Sequence, residues 1–258
     1  MSGFAELLPG AHTQAKVAVD LPTPEVIEGF AVYPYGKEGP PVFTLHELPG
    51  FTPQFNAFCH ALSGKGFRVF APLLFGEAGK TATGRNLARI WFDRDWYIFK
   101  NATPRIIAKL RRVRDAIHEK HPGRMGAIGM CFTGQLPVAL LDRDYMNAAV
   151  LSQPSMPAVG DEMALDERDV ETAKRSGVKM IAFRFKTDIV CRRPRQVRFE
   201  TTFNGKIDFE PLPAETRKHA VLTEELFDEN GQMKTDGPSF GAFEKTAGYL
   251  DERLKAVK

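Results

Sequence analysis

MGAIGMCFTGQLPVALL, residues Met125 to Leu141, starts as a small-residue apolar run and turns at Gly129-Met-Cys-Phe-Thr-Gly134 into a helix-like pattern. Strand, sharp corner and helix in that order set Cys131 at the carboxyl end of a strand, where open parallel sheets meet their ligands. Gly129 and Gly134 flank the cysteine at i−2 and i+3. A corner this tight leaves no room for neighbouring side chains and forces strained dihedrals on its central residue. The thiol is thereby presented at the top of the sheet, facing a helix N-terminus that favours its thiolate. The competing reading is a small buried apolar cysteine at a helix start.

Outward from the corner, short apolar strands alternate with amphipathic helices. GFAVYPY (29–35), VFTLHE (42–47), FRVFAP (67–72), MGAIG (125–129), NAAVLSQ (147–153) and VKMIAFRFKTD (178–188) read as strands, with RFETTFNG (198–205) as the last. PQFNAFCHALSGKG, TPRIIAKLRRVRDAIHEKHPG, ERDVETAKRSG and the C-terminal FGAFEKTAGYLDERLKAVK read as helices; Ile106, Leu110, Val113 and Ile117 form one apolar stripe. The alternation predicts an α/β fold with a mostly parallel central sheet and helices on both faces. No linker or repeat divides the chain, so one domain over 1–258 is expected. Residues 76–103 are too long for an ordinary loop and rich in aromatics (Trp91, Phe92, Trp96, Tyr97, Phe99). They are expected to be helical in part and to form a lid or pocket wall.

A nucleophile needs a base, and the base needs an orienting acid. Of six histidines, His118 and His121 precede the strand of Cys131 and belong at the opposite edge, His12 is in the N-terminal tail, and His60 is late in a helix. His46 ends a strand and stays open as a neighbour of the site. His219 follows the last strands in a loop able to return over the corner, or is a solvated surface histidine. Asp188 ends a strand. The chain order Cys131, Asp188, His219 is nucleophile, acid, base, as in the α/β-hydrolase fold.

Over roughly Glu28 to Tyr249 the chain resembles the dienelactone hydrolase family of α/β hydrolases. The resemblance is carried by HELPG (46–50), GFRVFAPLLFG (66–76), GMCFTG (129–134), FKTDIV (185–190) and KHA (218–220). It implies Cys131 as nucleophile, His219 as base and Asp188 as orienting acid. It implies that Glu47 contacts the cysteine and helps hold the resting thiol protonated, since a nearby carboxylate opposes a second anion. The other reading of Glu47 is a buried carboxylate satisfied locally. The backbone N–H groups of Phe132 and Leu48 would form the oxyanion hole. Three departures touch the substrate. Thr133 stands where the family usually has glycine, narrowing the corner or adding a hydroxyl. Glu77 and Thr223 align with the two arginines that hold the carboxylate of dienelactone. Arg192, Arg193 or Arg195 could replace that clamp, or form a solvated basic loop. Trp91, in the lid segment, is a further candidate for substrate contact.

Composition narrows the remaining classes. Net charge is +3 and charged residues make up 26%, which does not call for nucleic acid. No basic and apolar leader opens the chain and no apolar run approaches membrane-spanning length. Three cysteines make no disulfide framework. FGEAGKTATG lacks the glycine a phosphate loop needs at position 74, where Leu74 stands. A cytoplasmic monomer or small homo-oligomer is expected, acting without metal or organic cofactor on a small ester or lactone. The rivals are a non-catalytic ligand-binding protein on the same fold and a thiol redox sensor, for which only Cys191 could resolve an oxidised Cys131.

Overall fold

The computed structural model describes residues 20–255. His12 and the chain start therefore lie outside the described residues. Eight strands form one sheet: β1 (Glu25–Ile27), β2 (Phe30–Tyr35), β3 (Pro41–Leu45), β4 (Arg68–Pro72), β5 (Met125–Met130), β6 (Met146–Ser152), β7 (Met180–Phe185) and β8 (Ile207–Leu212). Their spatial order is β1-β2-β4-β3-β5-β6-β7-β8. β1–β2 and β2–β4 pair antiparallel; every other pair is parallel. Parallel strands need crossovers, and these are helical. The helices are α1 (Pro53–Gly64), α2 (Thr83–Phe92), α3 (Ile106–Lys120), α4 (Leu136–Ala139), α5 (Glu167–Ser176), α6 (Arg193–Phe203) and α7 (Pro238–Leu254).

Both faces of the sheet are covered, so its strands are apolar on both sides rather than alternating with polar residues. Phe43, Phe70, Ala127, Leu151 and Ala182 point into one core with Ile106, Leu110, Val113 and Ile117 of α3 and Phe199 of α6. Their neighbours Val42, Val69, Ile128, Val150 and Ile181 point into the other, against Phe55 and Phe58 of α1 and Ala247 and Leu250 of α7. The stripe read on α3 is thus a core face. Its polar side carries a buried cation: Arg114, 0% exposed, donates to the Leu140 carbonyl at 2.7 Å and to Asp115 and Asp142. Asp142 is occupied there and plays no part in the corner.

One strand assignment is corrected. RFETTFNG is not the last strand; it is the second half of α6 and its exit. Pro194 in the first turn starts the helix, and Phe199 and Phe203, four apart, bury one face of it. The helical stripe decides the element. The last strand is IDFEPL, paired in parallel with β7. Its Pro211 is tolerated because β8 is an edge. The helix after the corner is also shorter than its pattern suggests: a 3₁₀ turn, Cys131–Thr133, then the four residues of α4.

Candidate active site

β5 delivers Cys131 to the first position of the 3₁₀ turn with φ +52°. A left-handed conformation at a non-glycine residue costs about 1–2 kcal/mol. Its surroundings hold it there. The Cys131 carbonyl accepts the Gly134 N–H at 3.0 Å and the Ser155 N–H at 2.9 Å. A Cβ on Gly129 would lie 2.3 Å from the Thr133 oxygen, and one on Gly134 would lie 2.5 Å from Pro154 Cα. Both glycines are therefore required by close backbone approach.

Asp188 follows β7 and is buried. Its Oδ1 accepts the N–H groups of Val190 (2.8 Å) and Cys191 (2.9 Å), which fixes the carboxylate. Its Oδ2 lies 2.8 Å from His219 Nδ1. The imidazole's other nitrogen, Nε2, is buried and makes no hydrogen bond among the described residues. Cys131 lies near enough to act on it. Burial opposes a charge on His219, but the Asp188 carboxylate and then Cys131 outweigh it and hold the imidazole well above its ordinary range.

Glu47 and Leu48 sit in the loop after β3, both buried. Glu47 Oε1 accepts from the Thr223 hydroxyl at 2.8 Å and from Gln153 Nε2 at 2.9 Å. Burial first, and then the charge of Glu224, push its carboxyl up to about 7, against the pull of His219, Thr223 and Gln153. Phe132 follows Cys131 in the turn, where N–H groups have no partner within the helix.

His46 supports this loop from below and is not the base. Its Nε2 accepts the Leu74 N–H at 3.0 Å, so the proton is on Nδ1, which donates to the Glu47 carbonyl at 2.9 Å. Burial pushes its pKa down to about 4. The unfolded chain takes up a proton near 6.5 that the fold refuses. His46 therefore contributes stability that is fully present above pH 6.5 and is lost as pH falls towards 4, about 3 kcal/mol in all. Urea unfolding at pH 7 and pH 4 should show that much less pH dependence in His46→Gln than in the wild type.

The residues expected near the substrate take the following places. Thr133 does not offer its hydroxyl to a ligand: Oγ1 is buried 3.1–3.2 Å from the carbonyls of Leu45, His46 and Met130 and accepts the Met130 N–H at 3.1 Å. It ties the corner to the end of β3. Glu77 is half-exposed and paired with Lys80 (2.5 Å) and Arg85 (3.2 Å). Thr223 faces Glu47. Arg195 is not part of a solvated loop. It is 1% exposed and donates to the carbonyls of Pro157 (2.5 Å), Gly160 (2.8 Å) and Glu162 (3.0 Å), bracing the loop after β6. Arg192 pairs with Asp161 at 2.9 Å. The Trp91 side chain lies outside the described residues. Trp96 instead packs on Phe132, ring centres 4.8 Å apart, with Phe75 5.8 Å from Trp96. The segment 93–105 also borders an open groove of about 470 Å³ with Tyr97, Phe99 and Arg105 on its rim. Among the described residues no group of three His, Cys, Asp or Glu is placed to hold a metal ion, and no helix is long and apolar enough to cross a membrane.

Gln153 is the residue that sequence reading missed. It stands at φ +36°, fully buried, between Glu47 and the His219 loop. Nothing periodic in LSQPSM marks it.

Strand order, parallel crossovers and a strained cysteine corner with an Asp–His pair define the class: this is an α/β hydrolase. A protein assigned as a dienelactone hydrolase from Klebsiella pneumoniae subsp. pneumoniae MGH 78578 has the same fold at 14% identity, with TM-score 0.62 over 86% of this chain and 93% of that one. A dienelactone hydrolase-like promiscuous phosphotriesterase from metagenomic libraries superposes with TM-score 0.59 at 16% identity, over 90% and 97%. Est1E from Butyrivibrio proteoclasticus, solved with ferulic acid bound, does so with TM-score 0.57 at 11% identity, over 94% and 100%. No curated protein gives a significant sequence match. The family model for the dienelactone hydrolase family matches residues 27–188, more than half of the sequence, and the chain belongs to that family.

Proposed function

We propose that this protein is a cysteine-dependent hydrolase of a small ester or lactone, acting through a thioester acyl-enzyme. The observation that carries the reading is the pairing of buried Asp188 with half-buried His219, 2.8 Å apart, acting on a cysteine held at φ +52° on a strand-to-helix corner. His219 takes the thiol proton, and Asp188 stabilises the imidazolium that forms. Cys131 attacks the acyl carbon. The N–H groups of Phe132 and Leu48 hold the oxyanion; such donors are each worth about 10²–10³ in rate. His219 returns the proton to the leaving alcohol. Water, deprotonated by His219, then cleaves the thioester and frees Cys131. Trp96 and Phe75, packed about Phe132, wall the acyl side. One domain suffices for this chemistry, and no metal, organic cofactor, nucleic acid or membrane enters it. A reduced cytoplasmic setting as monomer or small oligomer suits a working thiol. The redox-sensor reading is disfavoured because Cys191, its resolving thiol, is fully buried and pushed well above the ordinary thiol range. A panel of p-nitrophenyl esters and lactones, with Cys131→Ala as control, tests the proposal. Turnover that survives in the control would defeat it.

Specificity follows from the missing clamp. Thr223 is engaged by Glu47, and Arg192 and Arg195 are occupied elsewhere. An anionic substrate loses a charge-assisted contact of about 1.5–3 kcal/mol. Repulsion by Glu77 adds less than its charge suggests, because Lys80 and Arg85 neutralise it. A neutral lactone should therefore exceed dienelactone in kcat/KM by about 10- to 100-fold. Steady-state kinetics on the pair checks this, and a preference for the anion would point to a cation not yet assigned.

A further inference from the structure

We propose that Gln153 is a positioning residue of the active corner: its single side-chain amide ties the Glu47 carboxyl to the loop that carries His219. The three segments are far apart in sequence, and Gln153 joins them beside the direct Thr223–Glu47 contact. Gln153 Oε1 accepts the Val221 N–H at 3.3 Å and the Ser152 hydroxyl. A backbone N–H can only donate, so the carbonyl end of the amide faces Val221 and the NH₂ end faces Glu47, where Nε2 donates to Oε1 at 2.9 Å. Val221 is two residues after His219. The positive φ of Gln153, +36°, breaks the alternation of β6 and turns the side chain into this bridge.

The bridge has a second consequence. Thr223 donates to the same Glu47 oxygen. Two neutral donors share Oε1, so a proton on Glu47 resides on Oε2. The charged groups facing Glu47 are Glu224 and His219; Asp188 and Cys131 act through His219. Gln153 favours the charged carboxylate and so helps set Glu47 at about 7. Its removal raises that value and frees the Val221 end of the His219 loop.

The inference rests on Cys131 as the reactive thiol but not on ester turnover. Its test is the pH dependence of Cys131 alkylation by iodoacetamide, read by peptide mass. The wild-type profile should carry, besides the rise from the thiol's own ionisation, a Glu47-dependent step near pH 7, which Glu47→Gln removes. Gln153→Leu should move it up by about one pH unit and slow alkylation. Gln153→Glu, of the same shape, keeps an acceptor for Val221 but puts a second carboxyl beside Glu47, and should split the Glu47-dependent step into two. Unchanged profiles in both Gln153 variants, with only a lower melting temperature, would reduce Gln153 to packing and overturn the proposal. So would a step near pH 7 that is unchanged in Glu47→Gln. A shifting alkylation profile in a protein that hydrolyses no ester would support the Gln153 bridge while refuting the hydrolase reading.

Discussion

Cys131→Ala is expected to lower ester hydrolysis by about 10⁴- to 10⁶-fold, the range seen when a nucleophile is removed and only binding and oxyanion contacts remain. Alanine keeps a Cβ at φ +52°, so the strain of the corner persists and the fold should be unaffected. Cys131 is 8% exposed, and the loss of one sulfur from such a site costs little packing. Circular dichroism and urea unfolding should therefore match the wild type while turnover disappears. A variant that unfolds would leave the activity loss ambiguous; Cys131→Ser, almost the same in shape, then serves as the second measurement, with activity reduced by a weaker nucleophile.

Asp188→Asn should cost on the order of 10⁴-fold in kcat. The asparagine Oδ1 can still accept the Val190 and Cys191 N–H groups, so the loop should hold its shape. Its Nδ2 would then face His219 Nδ1 and can only donate. That forces the proton onto His219 Nε2, the nitrogen that must take the thiol proton. The same change removes the leading cause that holds the imidazole above its ordinary range, so what activity remains should show a His219 inflection displaced towards lower pH. An Asp188→Asn enzyme with normal kcat and an unshifted pH profile would show that the 2.8 Å pair is structural only.

These effects come from the parts of the molecule that could be read from sequence most directly. The corner was readable because it is local: strand, glycine, cysteine and glycine fall within ten residues, and close backbone approach at Gly129 and Gly134 leaves a compositional mark. Chain order pointed to Asp188 and His219, which the fold brings 2.8 Å apart, since parallel strands bring their carboxyl ends to one edge. What escaped reading depends on contacts between segments that are remote in sequence. Gln153 joins residues 47 and 221. Arg195 looked solvated, yet it collects the carbonyls of a loop more than 30 residues upstream. The pairing of Glu77 with Lys80 and Arg85 was likewise not legible. RFETTFNG differs in kind: Phe199 and Phe203 bury one face of a helix there, and tertiary packing decides the element.

Thr133 shows how a departure from the family pattern can be structural. Its hydroxyl binds the corner to the carbonyls at the end of β3, which lead directly into Glu47 and Leu48. His46 braces the same loop against Leu74. The proposed oxyanion donors are thus held from both sides before any substrate arrives, which is what electrostatic preorganisation requires.

The most direct test of the account is to trap the covalent intermediate. The protein is mixed with a p-nitrophenyl ester, quenched in acid within the first turnover, and analysed by intact and peptide mass spectrometry. The account predicts one acyl group per chain, on the peptide holding Cys131, released by hydroxylamine and absent in Cys131→Ala. Hydrolysis that proceeds with no adduct on Cys131, or with the acyl group on another residue, would contradict it.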